Sequence, residues 1–263
     1  MSNYVGVIMK EIKVLMVGNS FAVNMKEFVP AIMRDFGVEV KIGCLYIGGC
    51  SLKMHLDNTA SKAKDYIYYY NEGLEWKEKA GVDIDYGIDA CEWDVITFQQ
   101  QSGQSGQGET YADIPALTAY VRAKQPKAKF VWHATWAYQN DSTHPQFAEY
   151  ACDQYAMYGA IVNAVSEQVD EEIFEDIIPN MTAIQNARTS AMGDTLTCDG
   201  FHLTSDGCYI AGLTLAGVLT DGDLSPVKYA PEGMSQKTKE ICIESAQNAL
   251  DYPFTITQST YFD

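Results

Sequence analysis

The stretch Ile12-Lys13-Val14-Leu15-Met16-Val17-Gly18-Asn19-Ser20-Phe21 decides the fold. An apolar run broken only by Lys13 stops at Gly-Asn-Ser, the pattern of a short strand buried on both faces. Beyond it, Met25, Phe28, Val29, Ile32, Met33 and Phe36 recur at helical spacing, which predicts an amphipathic helix stopped by Gly37. A strand that runs through a tight turn into a helix is half of a parallel β-α-β unit.

Outward from this unit the pattern repeats. Val38 to Ile47 reads as a second strand entering Gly48-Gly49, and Val95 to Phe98 as a third entering a polar, glycine-containing loop from Gln99 to Gly108. Helix signals at Ile114, Leu117 and Val121 end at Pro126; Phe130 to Ala134 reads as a fourth strand, and Ile173 to Ile178, ended by Pro179, as a fifth. Between these last two, apolar residues from Phe147 to Val169 predict one long helix. Further helices are predicted near 182–190, 205–219 and 234–250. Such alternation predicts an α/β fold: three-layer α/β/α, with a mainly parallel five-stranded sheet. Asn71-Glu72-Gly73 between aromatic runs predicts a small β-hairpin insertion at about 65–79. The expected organisation is one domain over 1–263, with a C-terminal helical extension at about 221–263. Ligands of such sheets bind at the carboxyl ends of the strands, so the loops carrying Ser20, Gly49 and Gln100 are expected on one edge.

Composition narrows the function. Of 263 residues, 47% are hydrophobic and the formal net charge is −17, a globular chain whose field repels nucleic acid and anionic membranes. The seven cysteines are odd in number and none form Cys-x-x-Cys, which reads as reduced core thiols. No cluster has metal-ligand spacing and no Walker pattern occurs, so no metal or cofactor is expected. No run approaches the roughly 20 apolar residues of a membrane span. Residues 1–10 show neither a basic leader nor a long apolar region, which makes the cytoplasm the default location; a secreted or periplasmic one requires a removed signal.

The chemistry gathers at two places far apart in the chain. Ser20 lies between strand and helix, where free N–H groups favour negative charge, although a serine there also serves as a helix cap. Cys198-Asp199-Gly200-Phe201-His202 sets a carboxylate three positions before an imidazole. On a turn, the carboxylate can accept from Nδ1 and leave Nε2 as a base, and a serine hydroxyl needs such a base to become nucleophilic. A capping Asp beside a surface His is the alternative. His133, at the end of the fourth strand, reads as an interior hydrogen-bonded residue, and His144 as a surface one.

Gly18-Asn19-Ser20-Phe21 and Asp199-x-x-His202 resemble the first and last blocks of the SGNH (GDSL-like) hydrolases. Ile47-Gly48-Gly49-Cys50-Ser51-Leu52 is similar to their second block, and Trp93-Asp94 through Gln99-Gln100-Gln101-Ser102 occupies the place of the third. The combination resembles the DUF4886-like branch, as do Glu109-Thr110-Tyr111, Thr135-Trp136-Ala137-Tyr138 and Ile178-Pro179 with Ala183-Ile184-Gln185-Asn186. The likeness runs from about residue 12 to 218. It implies a flavodoxin-like SGNH-hydrolase fold with Ser20 as nucleophile, His202 as base and Asp199 as its orienter. It implies an oxyanion hole formed by the N–H groups of Ser20 and Gly49 and a third-block amide. The sequence departs from the blocks twice: Asn19 replaces an aspartate, and glutamine replaces the third block's asparagine. Gln100 is taken as the amide donor because the strand is expected to end at Gln99; Gln99 and Gln101 would share the opposite face. Trp136, Tyr138 and His55 are candidate substrate-binding residues.

These readings imply a serine esterase acting on a small acyl ester, in particular an acetyl ester of a carbohydrate, with a small molecule or glycan ester as partner. A catalytically silent glycan-binding protein is the alternative. A flavin or phosphate binder using the loop from Gly18 to Asn24 would leave Asp199 and His202 without a role.

Overall fold

The computed structural model describes residues 10–262, so the amino-terminal residues read above for a leader, Lys10 excepted, lie outside the described residues. The deciding stretch forms β1 (Lys10–Gly18), with Val14, Leu15, Met16 and Val17 at most 1% exposed, as a strand covered on both faces requires. Two helices follow instead of one, α1 (Ser20–Lys26) and α2 (Val29–Asp35). Pro30 lies in the first turn of α2; it lacks an N–H to continue the helix before it and is tolerated at a helix start. Next come β2 (Val38–Tyr46), α3 (Leu52–Ser61), β3 (Tyr66–Glu72) and β4 (Glu75–Val82). After them run α4 (Ile84–Ile88), β5 (Val95–Phe98), α5 (Ile114–Lys124) and β6 (Lys129–His133). The chain ends with α6 (Gln154–Gln168), β7 (Asp176–Ile178), α7 (Asn180–Arg188), α8 (Ser205–Leu219) and α9 (Gln236–Asp251).

The long helix expected from Phe147 is divided. A short 3₁₀ turn covers Pro145–Tyr150, and Ala151 and Cys152 take left-handed φ of 56° and 54° before Asp153 caps α6 on the Ala156 N–H. Apolar spacing alone does not register such a break. Likewise the fifth parallel strand begins at Asp176, because residues 170–174 form a turn on the Asp170 carbonyl.

The strands form one sheet in the order β4-β3-β2-β1-β5-β6-β7. The five expected strands, β2-β1-β5-β6-β7, are all parallel, and the inserted hairpin adds β3 and β4 antiparallel on the β2 side, giving seven strands. Helices cover both faces of the sheet, in an α/β/α layering: α1, α2, α7, α8 and α9 pack together as one set, α3, α4 and α5 as another. Strand order reverses beside β1, since the chain moves from β1 to β2 on one side and returns to β5 on the other. The carboxyl ends of β1 and β5 therefore border the crevice where such sheets bind ligands. The helix at 234–250 appears as α9 and packs on α7 and α8, while the tail ties back to α7 through Thr257 N–H on Asn186 Oδ1 at 2.7 Å. No helix among the described residues is long and apolar enough to cross a membrane.

Candidate active site

Ser20 is the first residue of α1 and Asn19 its cap, accepting the Phe21 N–H on Oδ1 at 3.0 Å. The turn is tight because Gly18 admits the Gln99 side chain against its Cα. A Cβ at position 18 would meet Gln99 Oε1 at 2.7 Å and Ala22 Cβ at 2.8 Å. The half-buried Ser20 hydroxyl reaches His202 Nε2 at 2.8 Å across a sequence separation of 182 residues.

His202 lies on a loop closed on itself by Cys198 N–H to His202 O and Thr204 N–H to Leu196 O, both 2.8 Å. Gly200 turns the tip with φ +92°, and Ser142 presses on it so closely that a Cβ there would lie 2.9 Å from Ser142 Cα. Within this loop Asp199 Oδ2 meets His202 Nδ1 at 2.7 Å, while Oδ1 accepts the N–H of His202 at 2.7 Å and of Phe201 at 3.1 Å. Burial would raise the Asp199 carboxyl, but these donors outweigh it and hold the group below its ordinary value. A carboxylate only accepts, so Nδ1 carries the proton and Nε2 is left to accept from the Ser20 O–H. The three side chains thus form one directional hydrogen-bonded chain, the arrangement that a serine nucleophile would require.

Two neighbouring elements secure the imidazole loop. Asn24 in α1 accepts the Leu203 N–H at 3.2 Å, and the segment after β6 contributes Trp136 Nε1–H to Phe201 O at 2.8 Å and Gln139 N–H to Gly200 O at 2.8 Å. The Phe201 ring packs 4.2 Å from that of His202 and 4.8 Å from that of His144. His144, expected at the surface, is half-buried beside this pair; burial lowers its pKa, opposed by the nearby Asp199 and reinforced by His202.

The candidate oxyanion-hole residues divide. Gly49 is exposed with φ +62° in the turn closed by Cys50 N–H to Ile47 O, so its N–H is on an open loop. That loop is tied to the Ser20 turn by Asn19 Nδ2–H to Cys50 O at 3.0 Å. Gln100 does not face the cleft as expected. Its Oε1 accepts the N–H of Leu52 at 3.1 Å and its Nε2 donates to Thr110 O at 2.8 Å and Oγ1 at 3.0 Å, so it braces two loops. Gln99 is buried and reaches Asn19 Oδ1 and His133 Nδ1; Gln101 pairs with Gln146 Oε1 at 2.8 Å.

None of the three candidate substrate contacts is open to a ligand. Trp136 and Tyr138 are both 0% exposed; Trp136 stacks on Phe21 and Tyr138 Oη meets Ser102 Oγ at 2.8 Å. An aromatic residue after a strand has the same sequence signature whether it walls a pocket or fills the core, and here the core claims both. His55, 1% exposed, pairs through Nδ1 with Tyr66 Oη at 2.9 Å, and burial lowers its pKa to about 3. No group of three or more His, Cys, Asp or Glu among the described residues is arranged to hold a metal ion. A cavity of about 930 Å³ lies at the far end of the sheet, where Lys10, Val95, Lys129 and Asp176 begin their strands, away from Ser20.

Comparison with known proteins places the family and the fold. The family model described as a domain of unknown function (DUF4886) matches residues 13–249. The crystal structure of a DUF4886 family protein from Bacteroides uniformis superposes with a TM-score of 0.93 at 36% identity, covering 97% of this chain and 100% of that one. A candidate SGNH hydrolase from Slackia heliotrinireducens gives a TM-score of 0.51 at 18% identity, over 80% of this chain and 100% of its own. A candidate GDSL-like lipase from Parabacteroides merdae gives 0.52 at 12% identity, over 81% and 96%. At those identities the likeness shows the fold. Comparison with curated proteins finds no match.

Proposed function

The chain belongs to the DUF4886 family and has the fold of the SGNH hydrolases, and from its site we propose that it is a serine hydrolase of small acyl esters. The observation that carries this reading is the 2.8 Å contact between Ser20 Oγ and His202 Nε2, with Asp199 on Nδ1. His202 Nε2 takes the hydroxyl proton as Ser20 Oγ adds to the ester carbonyl. The N–H groups of Ser20 and Gly49 stabilise the developing oxyanion; one such donor is worth about 3–4 kcal/mol in comparable sites. Collapse expels the alcohol, which leaves with the proton from His202. Water, activated by the same imidazole, then adds to the acyl-Ser20 ester, and the second collapse releases the acid and restores the hydroxyl.

A short acyl group, acetyl in the first instance, and a hydroxylated alcohol such as a sugar fit this reading. The loops after β5 and β6, on the same edge as Ser20, carry the partly exposed residues Gln104 and Gln146, a residue type suited to hydroxyl recognition. A silent binding protein has no need of the Asp199–His202–Ser20 chain, which favours the enzymatic reading. Turnover of p-nitrophenyl acetate by the wild type and by Ser20→Ala tests it; equal rates in the two end the proposal.

A further inference from the structure

One hydrogen-bonded chain crosses the carboxyl edge of the sheet, with one residue from the end of each of four parallel strands. Asn19 follows β1, Gln99 follows β5, His133 ends β6 and Asn180 opens α7 after β7. Asn19 Oδ1 meets Gln99 Nε2 at 2.8 Å, Gln99 Oε1 meets His133 Nδ1 at 3.0 Å, and His133 Nε2 meets Asn180 Nδ2 at 3.0 Å. All four side chains are at most 2% exposed.

Fixed groups at one end give the chain its direction. The Phe21 N–H can only donate and the Cys50 carbonyl can only accept, so Asn19 must turn Oδ1 to the first and Nδ2 to the second. Gln99 must then give Nε2–H to Asn19 Oδ1 and keep Oε1 for the ring. His133 must carry its proton on Nδ1, and its bare Nε2 must accept from the Asn180 amide. The far end, Asn180 Oδ1, has no partner. With Asn180 Nδ2 facing Nε2, a doubly protonated ring would set donor against donor, and burial drives the His133 pKa down to about 3. The same logic explains why asparagine stands at position 19, where the resembling first block has aspartate: a carboxylate would oppose the Cys50 carbonyl.

We propose that Gln99, His133 and Asn180 are positioning residues, a relay that holds the Asn19 amide on Cys50 O and so fixes the separation of the Ser20 and Gly49 N–H groups. Those two donors lie one residue from either end of the Asn19–Cys50 bond, so the relay sets the shape of the oxyanion hole. This rests on the esterase reading, whereas its hydrogen-bond direction does not.

Long-range ¹H–¹⁵N spectra of the uniformly labelled protein resolve its four imidazoles, and His133→Phe assigns the relay ring. Residue 133 is expected as the neutral Nδ1-protonated tautomer at neutral pH; an Nε2-protonated or charged ring overturns the relay. Gln99→Leu is expected to lower kcat on p-nitrophenyl acetate about ten- to hundredfold and leave KM within about twofold. Unchanged kcat, or a change confined to KM, overturns the positioning role. If Gln99→Leu does not fold, His133→Phe carries the kinetic test. If the wild type neither turns over ester nor labels at Ser20, the esterase reading falls. The relay is then decided by the tautomer and by the Asn19 side-chain amide resonances, which Gln99→Leu should shift and an absent relay would leave in place.

Discussion

The Trp136 indole N–H donates to the Phe201 carbonyl at 2.8 Å, and its ring lies 4.0 Å from that of Phe21 with 3° between planes. Phe201 precedes His202 and Phe21 follows Ser20, so one buried side chain touches the neighbour of each partner in the Ser–His pair. Trp136, a candidate substrate contact in the sequence, is instead a strut between the Ser20 turn and the His202 loop.

Trp136→Phe keeps an aromatic face for Phe21 and removes the donor to Phe201 O. Leaving that carbonyl unpaired is expected to destabilise the protein by about 1–3 kcal/mol. Loosening the His202 loop is expected to lower kcat about tenfold, since small misplacements at the reacting groups are expensive. Urea unfolding and p-nitrophenyl acetate kinetics measure the two effects; a variant equal to wild type in both contradicts the strut.

Asp199→Asn retains the shape of the loop and reverses one hydrogen bond. With the amide oxygen on the backbone donors of Phe201 and His202, its nitrogen faces Nδ1, so the ring proton shifts to Nε2 and the Ser20 hydroxyl loses its acceptor. The expected loss is about 10²- to 10⁴-fold in kcat, with folding retained. Initial rates and circular dichroism together check it.

Gly200→Ala tests the loop itself. The left-handed φ of +92° and the 2.9 Å approach to Ser142 Cα leave no room for a methyl group. Displacement of the loop is expected to reduce the rate of fluorophosphonate labelling at Ser20 by about tenfold or more, a rate that intact-mass spectrometry follows directly.

Features governed by local pattern were legible in the sequence. Periodicity located the five parallel strands, and Asn71-Glu72-Gly73 located the hairpin. The Asp199-x-x-His202 spacing placed carboxylate and imidazole within bonding distance because three residues on a turn suffice for it. What failed depended on neighbours remote in the chain. Gln100 depends on Thr110 and Leu52 around its amide, and Trp136 and Tyr138 depend on two separate loops, one holding Phe201 and one holding Ser102, that close over them. Gln99 and His133 each stand out locally in the sequence, but no spacing rule joins the ends of four strands that are adjacent only in the folded sheet.

Two buried histidines give stability a pH signature. His55 and His133 are each held neutral by burial, with pKa values near 3 against 6.5 for the free group. Between about 3 and 6.5 the unfolded chain binds the proton and the native state does not, so the contribution of these two rings to stability is complete above 6.5 and falls as pH drops. Each site contributes a slope of about 1.4 kcal/mol per pH unit in that window. His55→Gln is expected to remove about one proton of this uptake on unfolding, measured as the pH dependence of the urea midpoint; an unchanged slope contradicts the burial of a neutral ring.

The most direct measurement is fluorophosphonate labelling of the wild-type protein near neutral pH, with the modified residue mapped by mass spectrometry. A single adduct on Ser20, absent in His202→Ala, is the predicted result. No adduct on Ser20, or one formed equally well without the imidazole, would contradict a serine activated by His202.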